Sequence, residues 1–356
     1  MNDPRDKIAS ITDADHSRQV FFKKRAQGEL PPSVFDIREV PIPSLSTGSL
    51  LCRNLYVSVD PYLRLKMYER ESYTPPLEIG QTIPGLSIAQ VVRADADGWQ
   101  GGELVVISGG WQDYVVVRAE HAQRIDTKLA EPTAWLGPLG MTGMTAYAGL
   151  KVIGQPKRGE TLVVSAAAGA VGSLVGQITK TFGCRAVGIA GGQAKCDFVC
   201  DTLHFDACID YKTDGWQTRL AQACAGGVDI YFDNVGGSVS AGVMPLLNPF
   251  ARVPLCGLIS QYNGQGTSGP NAMDEWMRWM LVRRLTVRGF IVYDLAGSCP
   301  EFTDVMGSWL REGAVRNHVH LHHGFENIVP AFLGMLRGEN MGKTVVQIAD
   351  PITTLT

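Results

Sequence analysis

Strong charge of either sign is missing from this chain. Its 356 residues carry 32 Lys and Arg against 35 Asp and Glu, a net charge of −3 with 19% charged residues. No basic cluster occurs, which argues against nucleic acid as a main partner. No apolar run approaches the roughly 18 residues of a membrane span, so no membrane role is expected. The N-terminal stretch MNDPRDKIASITDADHSRQ is polar and acidic and lacks the apolar core of a signal peptide. Residues 1–17 therefore read as a flexible tail on a cytoplasmic protein. Eight cysteines fall at 52, 184, 196, 200, 208, 224, 256 and 299 with no CxxC pair, so neither a redox dithiol motif nor a zinc ribbon is supported. Cys184, Cys208 and Cys256 read as buried thiols in or beside strands, and Cys196 and Cys200 share a helix face without making a metal site.

What is present is centred on Gly159–Gly183. Thr161-Leu-Val-Val-Ser165 is a short β-branched run suited to a buried strand. A small-residue turn follows, Ala166-Ala-Ala-Gly169-Ala-Val-Gly172, and then a helical pattern with Val171, Leu174, Val175, Ile178 and Phe182 on one face. Strand, tight turn and helix start are the parts of a dinucleotide site, where backbone N–H groups face a pyrophosphate and nothing bulky intervenes. Ala167 stands where the usual fingerprint has its first Gly. Taken alone, Gly169-x-x-Gly172 also fits plain helix packing. The next strand, Arg185–Ala190, ends in Gly191-Gly192-Gln193-Ala194-Lys195 instead of the acid that holds the ribose hydroxyls in NAD enzymes. A carboxylate would repel a 2′-phosphate, whereas the Lys195 ammonium pairs with it, so NADP is preferred. The alternative is that Lys195 only caps the exposed start of the next helix.

Along the chain, residues 18–135 read as short strands (Gln19–Phe22, Phe35–Val40, Leu51–Val59, Ser87–Ala94, Leu104–Ile107, Tyr114–Arg118) parted by Pro and Gly turns, a barrel-like domain. From Leu136 strand and helix alternate, with further strands at Ala207–Asp210, Val228–Phe232, Ala251–Cys256 and Leu285–Val292. Six strands with helices between them predict a doubly wound parallel sheet over 136–295. Residues 296–356 are expected to rejoin the first domain, which makes the nucleotide domain an insert. Two loops at carboxyl ends of strands could face a cofactor, Asp233–Gly237 and Cys256–Asn263, though each also reads as an ordinary tight turn. His318, His320 and His322 alternate as on one strand face. With no carboxylate or Cys nearby in sequence to complete a shell, an exposed strand is the better reading than a metal site.

Several stretches together carry a family resemblance: Tyr56–Arg64 (YVSVDPYLR), Gly110-Trp-Gln-Asp-Tyr114, Leu139–Tyr147 (LGMTGMTAY), Ala167–Gly176, Phe232–Gly237 (FDNVGG), Cys256–Asn263 and Gly338–Thr344 (GENMGKT). The chain resembles the zinc-free medium-chain dehydrogenases/reductases that include prostaglandin and leukotriene reductases, alkenal double-bond reductases and bacterial curcumin reductase. The catalytic Cys, GHE motif and four-cysteine cluster of the zinc-dependent relatives are absent from the sequence. The resemblance implies a Rossmann domain inserted into a GroES-like barrel, no metal, a homodimer, and NADPH-dependent reduction of the carbon–carbon double bond of enones and enals. It further implies a cofactor site of Met141, Thr145, Ala167, Gly169, Ala170, Val171, Gly172, Lys195, Tyr211, Asn234, Cys256, Gly257, Ile259, Ser260, Tyr262, Phe290, Ile291, Val292 and Asn340. Tyr262 takes the place of the tyrosine that assists at the substrate carbonyl, and the other reading of it is a bond to the cofactor ribose. Tyr56, Met67, Tyr73 and Tyr293 are candidate walls for a small-molecule substrate. A quinone reductase using the same cofactor, or an idle NADPH-binding sensor, are the competing functions. Ile83-Pro-Gly-Leu86 replaces a Gly-Gly pair of the relatives, which leaves the substrate's identity open.

Overall fold

The computed structural model describes residues 16–69, 71–263 and 270–352. Most of the tail expected at 1–17 lies outside them, but His16 and Ser17 are already in a strand, opposite Pro41 and Val40. The first strands are β1 (His16–Phe22), β2 (Phe35–Pro41), β3 (Ser49–Ser58), β4 (Ser87–Asp95), β5 (Leu104–Ile107), β6 (Tyr114–Arg118) and β7 (Gln123–Arg124). Then follow β8 (Thr161–Ser165), β9 (Arg185–Ala190), β10 (Ala207–Asp210), β11 (Val228–Phe232), β12 (Leu247–Leu255) and β13 (Thr286–Gly289), and last β14 (Val319–His323) and β15 (Lys343–Gln347). The chain divides into two compact units, 1–136 with 319–339 and 344–356, and 137–318 with 340–343.

In the first unit β1 and β2 form an antiparallel pair, and a seven-stranded sheet runs β14-β15-β3-β4-β5-β7 with β6 also on β3. Alternating strands bury one face, and the fully buried Trp111, Phe22 and Phe332 fill it, Trp111 meeting the Phe332 ring edge-on at 5.4 Å. Phe332 comes from the helix Ile328–Leu336, so the C-terminal chain does rejoin this core. Arg18 grips Asp113 with Nε and Nη2 at 2.9 and 3.1 Å, tying β1 to the segment before β6.

The second unit holds a six-stranded parallel sheet in the order β10-β9-β8-β11-β12-β13, the doubly wound arrangement the sequence predicts. The order reverses beside β8, so the carboxyl ends of β8 and β11 frame the crevice where such sheets take ligands. β12 starts four residues earlier than its apolar pattern suggests. Asn248 and Pro249 interrupt that pattern, Phe250 takes φ +66°, and the pairing with β11 shifts register there.

The segment 296–318, expected with the barrel, packs in the second unit instead. Tyr147 Oη donates to Glu301 at 2.6 Å, and the Tyr147 ring meets Phe302 and Trp309 at 5.7 and 6.0 Å. Gln177 accepts the Arg316 N–H at 2.8 Å. An amphipathic helix such as Phe302–Arg311 shows which of its faces is apolar but not which domain covers that face. No helix among the described residues is long and apolar enough to cross a membrane.

Candidate cofactor site

β8 delivers the chain into a turn that only small residues can make. Ala166 sits at φ +52°, an uncommon conformation for a side-chain-bearing residue, and its carbonyl accepts the Gly169 N–H at 2.8 Å. Gly169 then caps the helix Ala170–Thr181, whose first N–H groups open beside the turn. A Cβ on Gly172 would stand 2.2 Å from the Ala166 carbonyl oxygen, so the helix can come this close only with glycine there. Gly188 of β9 plays the same part below, where a Cβ would meet that of Ala167 at 2.7 Å. The segment 340–343 closes on the turn: Gly342 N–H donates to Ala168 O at 2.7 Å, and Asn340 Nδ2 donates to Gly342 O at 2.9 Å. Ala167, Gly169, Ala170, Val171, Gly172 and Asn340 are thus brought to one place.

The end of β9 forms a cationic corner. Asp210 Oδ1 accepts from the backbone N–H of Gly192 and Lys212 at 2.8 and 2.9 Å, folding the end of β10 toward Gly191. A Cβ on Gly191 would meet Lys212 Cε at 2.9 Å and Tyr211 Cε1 at 3.0 Å, so the Lys212 and Tyr211 side chains lie over Gly191. Burial, and then the nearby Lys212 ammonium, hold Lys195 below the ordinary lysine range. The Lys212 charge opposes that of Lys195, and an anion bound beside Lys195 would offset it. Lys212 was not foreseen from the sequence; its position next to Tyr211 is the signal that could have found it.

At the ends of β11 and β12 a buried carboxylate organises two loops. Asp233 Oδ1 accepts from Ser165 Oγ at 3.1 Å, Tyr231 Oη at 2.9 Å and the N–H groups of Val235 and Gly236 at 2.9 and 3.0 Å, while Ser240 Oγ donates to Oδ2. Asn234 is held through Ser165 twice, N–H to Oγ and Nδ2 to the carbonyl, each at 2.8 Å. The second loop hangs from the first. Cys256 and Gly257 N–H reach the Asp233 carbonyl at 2.8 and 3.2 Å, Ile259 N–H the Asn234 carbonyl at 3.3 Å, and Ser260 Oγ the Val235 carbonyl at 2.6 Å. This suspension places Tyr262 Oη 3.4 Å from where a Gly257 Cβ would be. Burial, with Asp233 adding, pushes the Cys256 thiol up to about 12, so it is no nucleophile at neutral pH. Neither the Asp233 network nor its Ser165, Tyr231 and Ser240 partners could be read from the sequence.

Phe290 packs edge-on against Phe232 at 6.1 Å, with Gly149 between the rings, and Ile291 and Val292 continue from it. Met141 and Thr145 lie on the helix Met141–Ala148, and Tyr293 Oη reaches Met141 Sδ at 3.9 Å. Tyr56, Met67 and Tyr73 belong to the first unit. Tyr56 is half-buried on β3 and Tyr73 is exposed, but Met67 is fully buried in the core with Leu63 and Leu77 and offers no surface. Among the described residues no group of three or more His, Cys, Asp or Glu could hold a metal ion. His318 stacks edge-on against Phe198 at 5.2 Å, while His320 and His322 lie together on β14, 4.8 Å apart.

Residues 18–125 match the family described as N-terminal domain of oxidoreductase, and residues 170–308 the one described as zinc-binding dehydrogenase. The chain is 44% identical over 338 residues to a putative NADP-dependent oxidoreductase, YfmJ, of Bacillus subtilis (strain 168), spanning 94% of this chain and 98% of that protein. It is 41% identical over 335 residues to the NADPH-dependent curcumin reductase of Escherichia coli (strain K12), spanning 94% and 97%. The crystal structure of CurA in complex with NADPH from Vibrio vulnificus superposes with a TM-score of 0.90 at 45% identity, covering 94% of this chain and all of that one. The chain belongs to the medium-chain dehydrogenase/reductase family, in the branch of NADPH-dependent oxidoreductases of the curcumin, prostaglandin and alkenal reductase type.

Proposed function

We propose that this member of the curcumin reductase branch reduces the carbon–carbon double bond of α,β-unsaturated ketones and aldehydes with NADPH. The observation that carries the reading is the suspended loop, which holds the Tyr262 hydroxyl over Gly257 at the carboxyl end of the sheet that bears the dinucleotide turn. When bound, NADPH supplies the hydride. The 166–172 turn and helix start receive the pyrophosphate, and Lys195, Tyr211 and Lys212 receive the 2′-phosphate. Asn234, the 256–260 loop, Phe290–Val292, Met141, Thr145 and Asn340 line the remainder.

As hydride reaches the β-carbon, negative charge moves onto the carbonyl oxygen. The Tyr262 hydroxyl, donating to that oxygen, stabilises the enolate, and such a preplaced donor is worth about 3 kcal/mol in a dry site. The α-carbon takes its proton from solvent. Tyr262 therefore acts without ionising.

The test is NADPH oxidation with an alkenal, a phenyl-enone, curcumin and a quinone. Turnover of the enones, reduced about a hundredfold in kcat by Tyr262→Phe, supports the reading. Turnover of the quinone alone would replace it with quinone reduction, and binding without turnover of any acceptor would leave only a sensor.

A homodimer belongs to the same proposal. The outer edge of β13 is unpaired among the described strands, and Leu281 and Val282, on the helix before it, are 78% and 54% exposed. Sedimentation at the mass of one chain would refute it.

A further inference from the structure

The alternating histidines of the sequence part company in the fold. His318 lies outside β14, and its ring packs edge-on against Phe198. His320 and His322 stay together on β14, their ring centres 4.8 Å apart and their planes tilted by 43°, so they are not stacked face to face. Neither is assigned to the cofactor or the substrate. β14 ends the seven-stranded sheet, and its outer flank has no neighbouring strand among the described residues. Successive side chains of a strand alternate between its faces. Val319 packs with Val345, Leu136 and Ile88 on one face. His320 and His322 therefore project from the other, the face on which Val346 of β15 packs with Ile328 and Phe332 of the helix Ile328–Leu336. Both imidazoles are half-buried, while Leu321 between them is 40% exposed. That is the reverse of what hydrophobicity alone would arrange.

The spacing of the rings suits a shared ion. A metal sits about 2.1 Å from an imidazole nitrogen and so about 3.2 Å from the ring centre. Two rings on one ion then stand about 4.5 Å apart at a right angle at the metal and about 5.2 Å apart at the tetrahedral angle. The observed 4.8 Å falls between these limits. Neutral imidazole is the form that ligates. Burial, and then His320 and His323, hold His322 below its ordinary range, which favours that form. The helix over this face, IVPAFLGML, carries no charged side chain, so it offers neither a competing cation nor a carboxylate ligand.

We propose that His320 and His322 together chelate one divalent transition-metal ion on the edge of the first unit, with water completing its shell. Two nitrogen donors select borderline cations, so Cu²⁺ binds most tightly, Ni²⁺ and Zn²⁺ less so, and the oxygen-seeking Mg²⁺ not at all. His323 takes no part, because alternation turns it to the opposite face. The proposal stands independently of the reading of the reaction.

The experiment titrates the whole protein with Ni²⁺ by calorimetry near neutral pH, with Mg²⁺ as the contrasting ion. A site for one Ni²⁺ per chain is expected. His320→Gln and His322→Gln should each weaken it at least about tenfold, since each removes one of two protein ligands, while His323→Gln should leave it unchanged. A second measurement needs no variant. Carbethoxylation of the histidines, mapped by peptide mass spectrometry with and without Ni²⁺, should show His320 and His322 protected by the metal. The exposed His121 and His204 should react equally in both samples. Absence of Ni²⁺ binding, equal affinity in His320→Gln and His322→Gln, or equal modification of the pair with and without the metal would each overturn the proposal.

Discussion

At the scale of single residues, the half-buried Lys195 and the buried Asp233 carry the most testable chemistry. Lys195 is held low by burial and then Lys212, and the proposed pairing with a 2′-phosphate requires it as the ammonium. Affinity for NADPH should be complete below its pKa and fall as pH rises through it, starting below the ordinary 10.5, while NADH affinity stays flat. In that window an unfolded chain binds more protons than the folded one, so the cofactor-free protein should gain stability as pH rises while it loses NADPH. Lys195→Ala should raise the NADPH KM at least about tenfold at neutral pH and leave NADH nearly unchanged. Steady-state kinetics from pH 7 to 10 check both statements. Asp233 is the second case. Asp233→Asn keeps the shape but turns an amide donor toward groups that are themselves donors, Ser165, Tyr231, Ser240 and two backbone N–H groups. The loss should be at least about 2 kcal/mol in denaturant unfolding, with a lower kcat because the loop bearing Tyr262 hangs from the backbone of the turn that this carboxylate holds. Unaltered stability would mean that the network contributes little.

At the scale of elements, the strand–turn–helix unit depends on glycines for contact distance rather than for flexibility. Gly176 faces Phe205 so closely that a Cβ would fall 1.7 Å from the ring, and Gly172 faces the backbone of Ala166. Gly176→Ala meets a ring that can move only by repacking the core, and should cost about 1–3 kcal/mol without touching the cofactor contacts. Gly172→Ala pushes on backbone at the pyrophosphate turn and should weaken NADPH and NADH together. Thermal unfolding and the two cofactor affinities separate these outcomes: equal effects on both variants would deny the distinction. The helix Phe302–Arg311 is held by Glu301, whose carboxyl is kept down at about 2 by Lys151 and then Tyr147. A carboxylate depressed in this way contributes stability that is present above its ordinary 4.5 and lost as pH falls toward 2.

At the scale of the whole molecule, ligand linkage is the simplest check. NADPH at a hundred times its Kd should add about 2.7 kcal/mol to the unit that binds it, and Lys195→Ala should bring that gain down to the NADH value at matched concentrations. A melting curve indifferent to NADPH would deny the site. The parallel sheet, its strand limits near β8 to β11 and the dinucleotide turn were legible in the sequence, because buried parallel strands and helix starts are written in runs of neighbouring residues. The glycine pair at the end of β9 was legible for the same reason, since it directly follows the strand. Lys212 and the Asp233 network were not, because each joins residues from separate elements whose adjacency arises only when β8, β9, β10 and β11 take their places. The same limit explains 296–318: its amphipathic pattern requires an apolar partner but does not name Tyr147. Sequence alone determined the local geometry that receives a dinucleotide and the sign of charge at its far end. Tertiary structure decided which distant side chains meet there, because burial and electrostatics depend on distances in space that chain separation does not set.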